Sequence, residues 1–249
     1  MRYSYSQMNG ITKPQDAEGV IFDIDGTLAN SWKLGFDATQ VVLKNRNIPL
    51  ITEELYHECT RYSTPDRLAR HAGYIPGDKG FDEIGKALAA EFDDLYVGLV
   101  DKSTAGFYPG IDELILDLPK SEVNGDEKRG VKIAALTNAC VAYAHAVLKT
   151  NCDGREIYSR FLSIHGADTV PLPKPKPDGL LICCQEIDIS PERCVYIGDS
   201  PTDGLAAKAA GMIAIGCSWG SHSEDSLRQT GSFDYICSSV SGLKDLLPK

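Results

Sequence analysis

The chain has 249 residues, 43% of them hydrophobic, enough for a sizeable core and too many for a disordered chain. Its 25 Lys and Arg stand against 35 Asp and Glu, a formal net charge of −10, which argues against a nucleic-acid binder because phosphate backbones require clustered positive charge. No stretch approaches the ~20 consecutive apolar residues of a membrane span. The eight cysteines form no CxxC pair and no zinc-type alternation with histidine, so they read as small buried hydrophobes in a reducing, cytoplasmic setting.

Taken in chain order, residues 1–19 include Asp16 and Glu18, lack an apolar signal core and read as a polar arm. Residues 20–22 are a compact apolar run, expected to form a strand buried on both faces. The run ends at once in Asp23-Ile24-Asp25-Gly26-Thr27. Residues 32–107 then read as almost entirely helical. Spaced apolar residues occupy 36–44, Thr52 is placed to cap a helix, and Thr64-Pro65-Asp66 opens another with proline at its first position. Residues 82–99 put Ile84, Leu88, Phe92, Leu95 and Leu99 at three- and four-residue steps, an amphipathic helix. The alternation of strand and helix is missing here, so a small helical unit inserted after the first strand is expected.

Tyr108-Pro109-Gly110 marks the return to the core, and 111–118 is predicted helical. Residues 119–130 are polar, contain Asn124-Gly125 and read as an exposed loop. The strand–helix rhythm resumes with strand 131–136 and helix 141–148. Strand 161–164 leads to the proline-rich turn 171–177 and helix 178–186. Strand 194–197 and helix 202–210 follow, then strands 212–215 and 235–237 and a last helix over 240–247. This is an α/β pattern: a Rossmann-like three-layer core around a mostly parallel sheet, with the core at 1–31 and 108–249 and a helical cap at 32–107. Parallel sheets carry ligand chemistry beyond the carboxyl ends of their strands. Four polar groups lie at or shortly after such ends: Asp23/Asp25, Thr137/Asn138, Lys174 and Asp199/Asp203.

Asp23-Ile24-Asp25-Gly26-Thr27-Leu28 resembles the first motif of the haloacid-dehalogenase-like hydrolases, and Thr137-Asn138 the second. Lys174 with its prolines is similar to the third, and Gly198-Asp199-Ser200-Pro201-Thr202-Asp203 to the fourth. Order and spacing match over residues 18–247, and a helical cap between the first two motifs is similar to the phosphoglycolate-phosphatase and beta-phosphoglucomutase branch.

The chemistry expected of these residues can also be argued directly. A carboxylate can attack a phosphoryl group and split one difficult displacement into two. Asp23, directly ending its strand, is the better aimed nucleophile. Asp25 is then the acid that protonates the leaving alcohol and the base that activates water. Carboxylates meeting a dianionic ester repel it, so a hard cation is expected: Mg²⁺ on the Asp23 and Asp199 side chains with the Asp25 carbonyl. The resemblance implies that Asp203 binds a metal-bound water or fixes Lys174, and its place near a helix start also suits a cap. Gly26 permits close backbone approach. Thr137 and the Asn138 backbone NH are expected to grip phosphoryl oxygens. Lys174 fits the pattern Lys-Pro-x-Pro better than Lys176 and would balance transferring charge.

The presence of Asp25 argues against a dehalogenase, which has no alcohol to protonate. The cap lysines Lys33, Lys44, Lys79 and Lys86 offer nothing that marks a Schiff-base residue. The expected activity is Mg²⁺-dependent hydrolysis of a small phosphorylated metabolite through an aspartyl phosphate. A sugar phosphomutase and a catalytically silent binding or regulatory member are the alternatives, and the oligomeric state is open. Arg61, Arg67, Arg70 and His71 could read a carboxylate or second phosphate, or form a solvated helix face. Trp32 and Phe36 suit hinge packing, and residues 218–225 suit either the rim of the site or an ordinary loop.

Overall fold

A computed structural model describes residues 10–120, 130–152 and 156–249. The elements are β1 (Gly19–Phe22), α1 (Trp32–Asn45), α2 (Glu53–Cys59), α3 (Thr64–His71), α4 (Phe81–Gly98), α5 (Lys102–Ala105) and α6 (Ile111–Asp117). They continue with β2 (Lys132–Leu136), α7 (Val141–Thr150), α8 (Ile157–Arg160), β3 (Phe161–His165), α9 (Asp178–Ile187) and β4 (Cys194–Gly198). The chain closes with α10 (Pro201–Ala210), β5 (Ile213–Cys217), α11 (Glu224–Gln229), β6 (Tyr235–Cys237) and α12 (Val240–Leu246). Most of the predicted loop at 119–130, and the first nine residues of the polar arm, lie outside the described residues.

The strands form one sheet in the order β3-β2-β1-β4-β5-β6, and every pairing is parallel. The apolar runs read from the sequence split by alternate residues between two helical layers. Val20 and Phe22 of β1, Ile133 and Ala135 of β2, and Val195 and Ile197 of β4 face one core cluster. Ile21, Ala134, Leu136, Cys194 and Tyr196 face the other, which α9 and α10 cover. The first cluster also takes in Leu34, Ala38, Leu68, Leu88 and Phe92, so α1, α3 and α4 pack on the same apolar body as the sheet. All eight cysteines are buried and unpaired. No helix among the described residues is long and apolar enough to cross a membrane.

β1 lies between β2 and β4, with Phe22 level with Ala135 on one side and Ile197 on the other. The chain direction across the sheet reverses at β1/β4, the place where open α/β sheets leave a crevice at their carboxyl edge. Asp23, Thr137 and Asp199 each follow within a residue of a strand end at that edge.

Two short helices escaped the sequence reading, α8 and α11, of four and six residues, and the four-residue α5 was not singled out within the helical 32–107 segment. The first helix starts at Trp32 rather than at 36; Ser31 stands at its cap position but sends its hydroxyl to Asp25 instead of to the helix.

Candidate active site

Asp23 continues β1, its NH donating to Ile197 O at 2.8 Å. Its carboxylate, with those of Asp199 and Asp203, forms a buried cluster whose oxygens lie within 4.8 Å of one another. Lys174 enters from the proline-rich turn, where the Lys174–Pro175 peptide is cis. Its Nζ donates to Asp23 Oδ1 and Asp203 Oδ1 at 2.7 Å each, and to Tyr196 Oη at 3.0 Å. Burial opposes the ammonium charge, but Asp203 and Asp23 outweigh it and hold Lys174 above its ordinary pKa. Lys176, two residues on, is exposed.

One ammonium does not balance three carboxylates. Burial, then Asp203, push Asp199 up to about 7, against a Ser221 NH that donates to its Oδ2 at 2.6 Å. Burial likewise pushes Asp23 up, Lys174 opposes it, and Asp203 and Asp199 add to the rise. The surplus negative charge, the burial and the all-oxygen donor set fit a hard divalent cation.

The turns on either side of Asp199 are close to it. Gly26 has φ +75, and a Cβ there would lie 2.0 Å from Asp199 Oδ2; one on Gly220 would lie 2.2 Å from the same oxygen. Asp203 sits in the first turn of α10, where Ser200 holds the cap position and donates its NH to Asp203 Oδ2 at 2.9 Å. Asp203 thus braces the helix start with one oxygen and Lys174 with the other.

The Asp25 side chain lies apart from this cluster. Its Oδ1 accepts from Ser31 Oγ, Tyr96 Oη at 2.9 Å and Tyr143 Oη at 2.6 Å, and its Oδ2 from Thr137 Oγ1 at 3.3 Å. Thr137 Oγ1 also accepts from Ala139 NH at 3.0 Å. The Asn138 side chain clasps the lysine turn, donating to Lys174 O at 3.1 Å and accepting from Lys174 NH at 3.0 Å. Sequence reasoning missed Tyr96, Tyr143, Tyr196 and Ser221. A tyrosine inside an otherwise aliphatic strand was a signal for Tyr196, and Ser221 lies in the 218–225 segment expected at the rim of the site or in an ordinary loop; Tyr96 and Tyr143 had no signal.

A cavity of about 80 Å³ joins these groups, with Asp23, Asp25, Lys174 and Asp199 lining one side and Trp32 and Arg67 another. Of the four basic residues singled out in the helical segment, only Arg67 lines it. Arg67 is 6% exposed, donates from Nη1 to Thr39 Oγ1 at 2.9 Å, and lies over the Tyr56 and Phe92 rings at 5.2 and 4.7 Å; among the described residues no carboxylate forms a direct ion pair with it, and its charge acts on Asp93 at longer range. Arg70 instead stacks on Tyr62 at 3.8 Å, and Arg61 donates to Glu58 O. Trp32 packs on His57 and Phe36 on Tyr56, so Trp32 serves both the packing and the cavity wall.

The haloacid dehalogenase-like hydrolase family matches residues 20–217, most of the chain. The chain belongs to this family. Among curated relatives, the phosphoglycolate phosphatase of Escherichia coli K12 is 26% identical over 254 residues, covering 96% of this chain and 94% of that one. The phosphoglycolate phosphatase of Pseudomonas putida is 29% identical over 202 residues, covering 81% and 69%. These relatives support the phosphoglycolate-phosphatase-like branch of the family and make this haloacid dehalogenase-like hydrolase an enzyme of the phosphatase class. A hydrolase from Pseudomonas syringae superposes with TM-score 0.71 at 24% identity, covering 91% of this chain and 96% of that chain. CbbY from Rhodobacter sphaeroides in complex with xylulose-(1,5)bisphosphate superposes with TM-score 0.72 at 25% identity, covering 93% and 99%.

Proposed function

We propose that this protein hydrolyses a small phosphate monoester whose leaving group carries a second anionic group, through an aspartyl phosphate on Asp23. The observation that carries the reading is the meeting of Asp23, Asp199, Asp203 and Lys174 at one strand edge, with Asp23 Oδ1 on Lys174 and Oδ2 without a hydrogen-bond partner among the described residues. Oδ2 is the attacking atom, and Lys174 keeps the carboxylate charged while it attacks. Asp25 protonates the leaving oxygen and then takes a proton from the water that frees Asp23. Thr137 and the Asn138 backbone NH hold phosphoryl oxygens, and Gly26 lets the backbone approach them. Asp203 fixes Lys174.

Asp23 and Asp199, with the Asp25 carbonyl, would hold Mg²⁺. When bound, this ion neutralises the phosphoryl charge that the carboxylates would otherwise repel. Residues 32–107 act as a cap over the core formed by 1–31 and 108–249, and they exclude water from the cavity. Eight buried, unpaired thiols support a cytoplasmic setting.

Arg67 supports the second negative charge on the substrate. A desolvated guanidinium in no direct ion pair among the described residues, facing the cavity that holds Asp23, suits a carboxylate or phosphate on the leaving group. The phosphoglycolate of the curated relatives' names and the bisphosphate in the CbbY complex both carry such a group. The curated relatives' names favour the compact ester, phosphoglycolate.

The test is phosphate release from phosphoglycolate, sugar phosphates and 4-nitrophenyl phosphate with and without Mg²⁺. Phosphoglycolate is expected to be the best substrate, with no turnover after chelation. Asp23→Asn is expected to lose at least roughly a thousandfold in kcat. Arg67→Met is expected to lose about tenfold to a hundredfold in kcat/KM for phosphoglycolate, the worth of a charged hydrogen bond, and little for 4-nitrophenyl phosphate. A phosphoryl group trapped on any residue but Asp23 sinks the mechanism, and an equal loss on both esters sinks the role of Arg67.

A further inference from the structure

Three hydroxyls converge on one oxygen of Asp25. Ser31 comes from the start of α1, Tyr96 from α4 and Tyr143 from α7, and all three reach Oδ1. A carboxylate oxygen has two lone pairs, so three donors saturate it. Among the described residues Oδ2 has only Thr137 Oγ1, at a long 3.3 Å. Asp25 and Thr137 both line the cavity that contains Asp23. The two tyrosine rings are stacked, centroids 4.0 Å apart and planes at 15°, and their exposures are 4% and 0%. Each ring is therefore held by the other and by the core, and neither hydroxyl can swing to solvent.

We infer that Tyr96 and Tyr143 are positioning residues that fix Asp25 by Oδ1 and thereby present Oδ2 to the leaving group. This rests on the proposed role of Asp25 as acid and then base. With Oδ1 filled by donors, Oδ2 is the oxygen that carries and delivers the proton. In the first step the Asp23 Oδ2–phosphorus bond forms, the ester oxygen–phosphorus bond breaks, and the proton on Asp25 Oδ2 passes to the departing oxygen. In the second, a water oxygen bonds to phosphorus, its proton returns to Asp25 Oδ2, and the Asp23–phosphorus bond breaks. Atoms and charge balance over the two steps, and Asp25 ends as it began. Between them the Asp25 carboxylate is stabilised by hydroxyls already in place.

The two rings belong to different parts of the chain. Tyr96 lies on a helix of the 32–107 segment and Tyr143 on the helix that follows Thr137. Asp25 consequently has its full set of Oδ1 donors only when α4 lies against α7, which ties the proton transfer to the packing of that segment on the core.

Leaving-group dependence tests this, because nitrophenolate departs without a proton and an alkoxide does not. Single-turnover rates of the first step are measured for phosphoglycolate and 4-nitrophenyl phosphate in Tyr96→Phe, Tyr143→Phe, the double variant and Asp25→Asn. Each tyrosine variant, which removes one hydroxyl and leaves the ring stack, is expected to slow phosphoglycolate about tenfold to a hundredfold. The double variant is expected to lose more, and the 4-nitrophenyl phosphate burst to change by less than about threefold, which doubles as the control for folding. An equal loss on both esters means a general structural lesion and overturns the proposal, as does an unchanged phosphoglycolate rate. Should Asp25→Asn keep its phosphoglycolate rate, the acid role itself falls; should it lose that rate while the tyrosine variants keep theirs, the positioning role alone falls.

Discussion

At the scale of single residues, the site is governed by how three carboxylates are kept together out of water. Lys174 is the ammonium that bridges two of them, and removing one partner of a buried charged cluster leaves the others uncompensated. Lys174→Met is expected to cost about 3–5 kcal/mol in urea unfolding without added cation, together with loss of phosphate release. Asp199 is fixed differently, by the Ser221 NH and by two glycines with no room for a side chain. Gly220→Ala is therefore expected to displace the Asp199 carboxylate and raise the Mg²⁺ concentration for half-activity at least about tenfold, the scale seen when support around a metal ligand is lost. An unchanged Mg²⁺ titration would show that Asp199 tolerates the shift. The sequence made Asp23, Thr137 and Asp199 legible because each directly follows an apolar run. It did not reveal Tyr96 or Tyr143, because a helical tyrosine looks the same whether it meets a carboxylate or ordinary core, and it offered the 218–225 segment as a rim or an ordinary loop without singling out Ser221. Asn138 is expected to act through its backbone NH, and its side chain, which the sequence did not single out, clasps Lys174.

At the scale of elements, strands were easier to read than short helices. A continuous apolar run announces a doubly buried strand, while four to six residues of helix show too little of a 3.6-residue period to stand out. The helices of residues 32–107 also carry opposing pH responses. His71 on α3 is 5% exposed, and burial, reinforced by Arg67, lowers its pKa to about 3. The unfolded chain takes up that proton below about pH 6.5 and the folded chain does not, so stability falls as pH drops from about 6.5 towards 3. A shift of this size corresponds to roughly 3–5 kcal/mol at the acid end, and His71→Leu is expected to flatten that slope in denaturant melts. Asp93 on α4 works in the other direction. Burial, then Asp168, raise it to about 6, so the folded form is favoured at acid pH and loses that advantage as pH rises through 6. Asp93→Asn is expected to add roughly 1–3 kcal/mol at pH 8 and little at pH 4; a gain at pH 4 equal to that at pH 8 would rule out titration as the cause.

At the scale of the whole molecule, the parallel sheet brings residues far apart in the chain to one edge, and the cluster they form is costly until its charge is matched. The strands and the layered α/β pattern follow from hydrophobic runs and periodicity, which is why they were legible, whereas the order of the strands in the sheet is written in no local pattern. The contact between α4 and α7 is not encoded in any local pattern, and so the Tyr96–Tyr143 stack had to be seen. A cation that binds this edge binds only the folded chain, since Asp23 and Asp199 meet there only when β1 and β4 are paired. Mg²⁺ at a hundred times its dissociation constant should stabilise the fold by about 2.7 kcal/mol, which for a chain of this size raises Tm by about 5–10 °C. The gain has a definite pH dependence. Asp199 is pushed up to about 7 in the cation-free cluster, so below that value a proton occupies the carboxylate and competes with the ion. Above it the bare charge weighs on the fold and the ion relieves it. Thermal melts with and without Mg²⁺ are expected to show a larger shift at pH 8 than at pH 6, and none at either pH in Asp199→Asn. An equal shift in that variant would mean that the ion binds elsewhere on this acidic surface and that the strand-edge carboxylates are not its site.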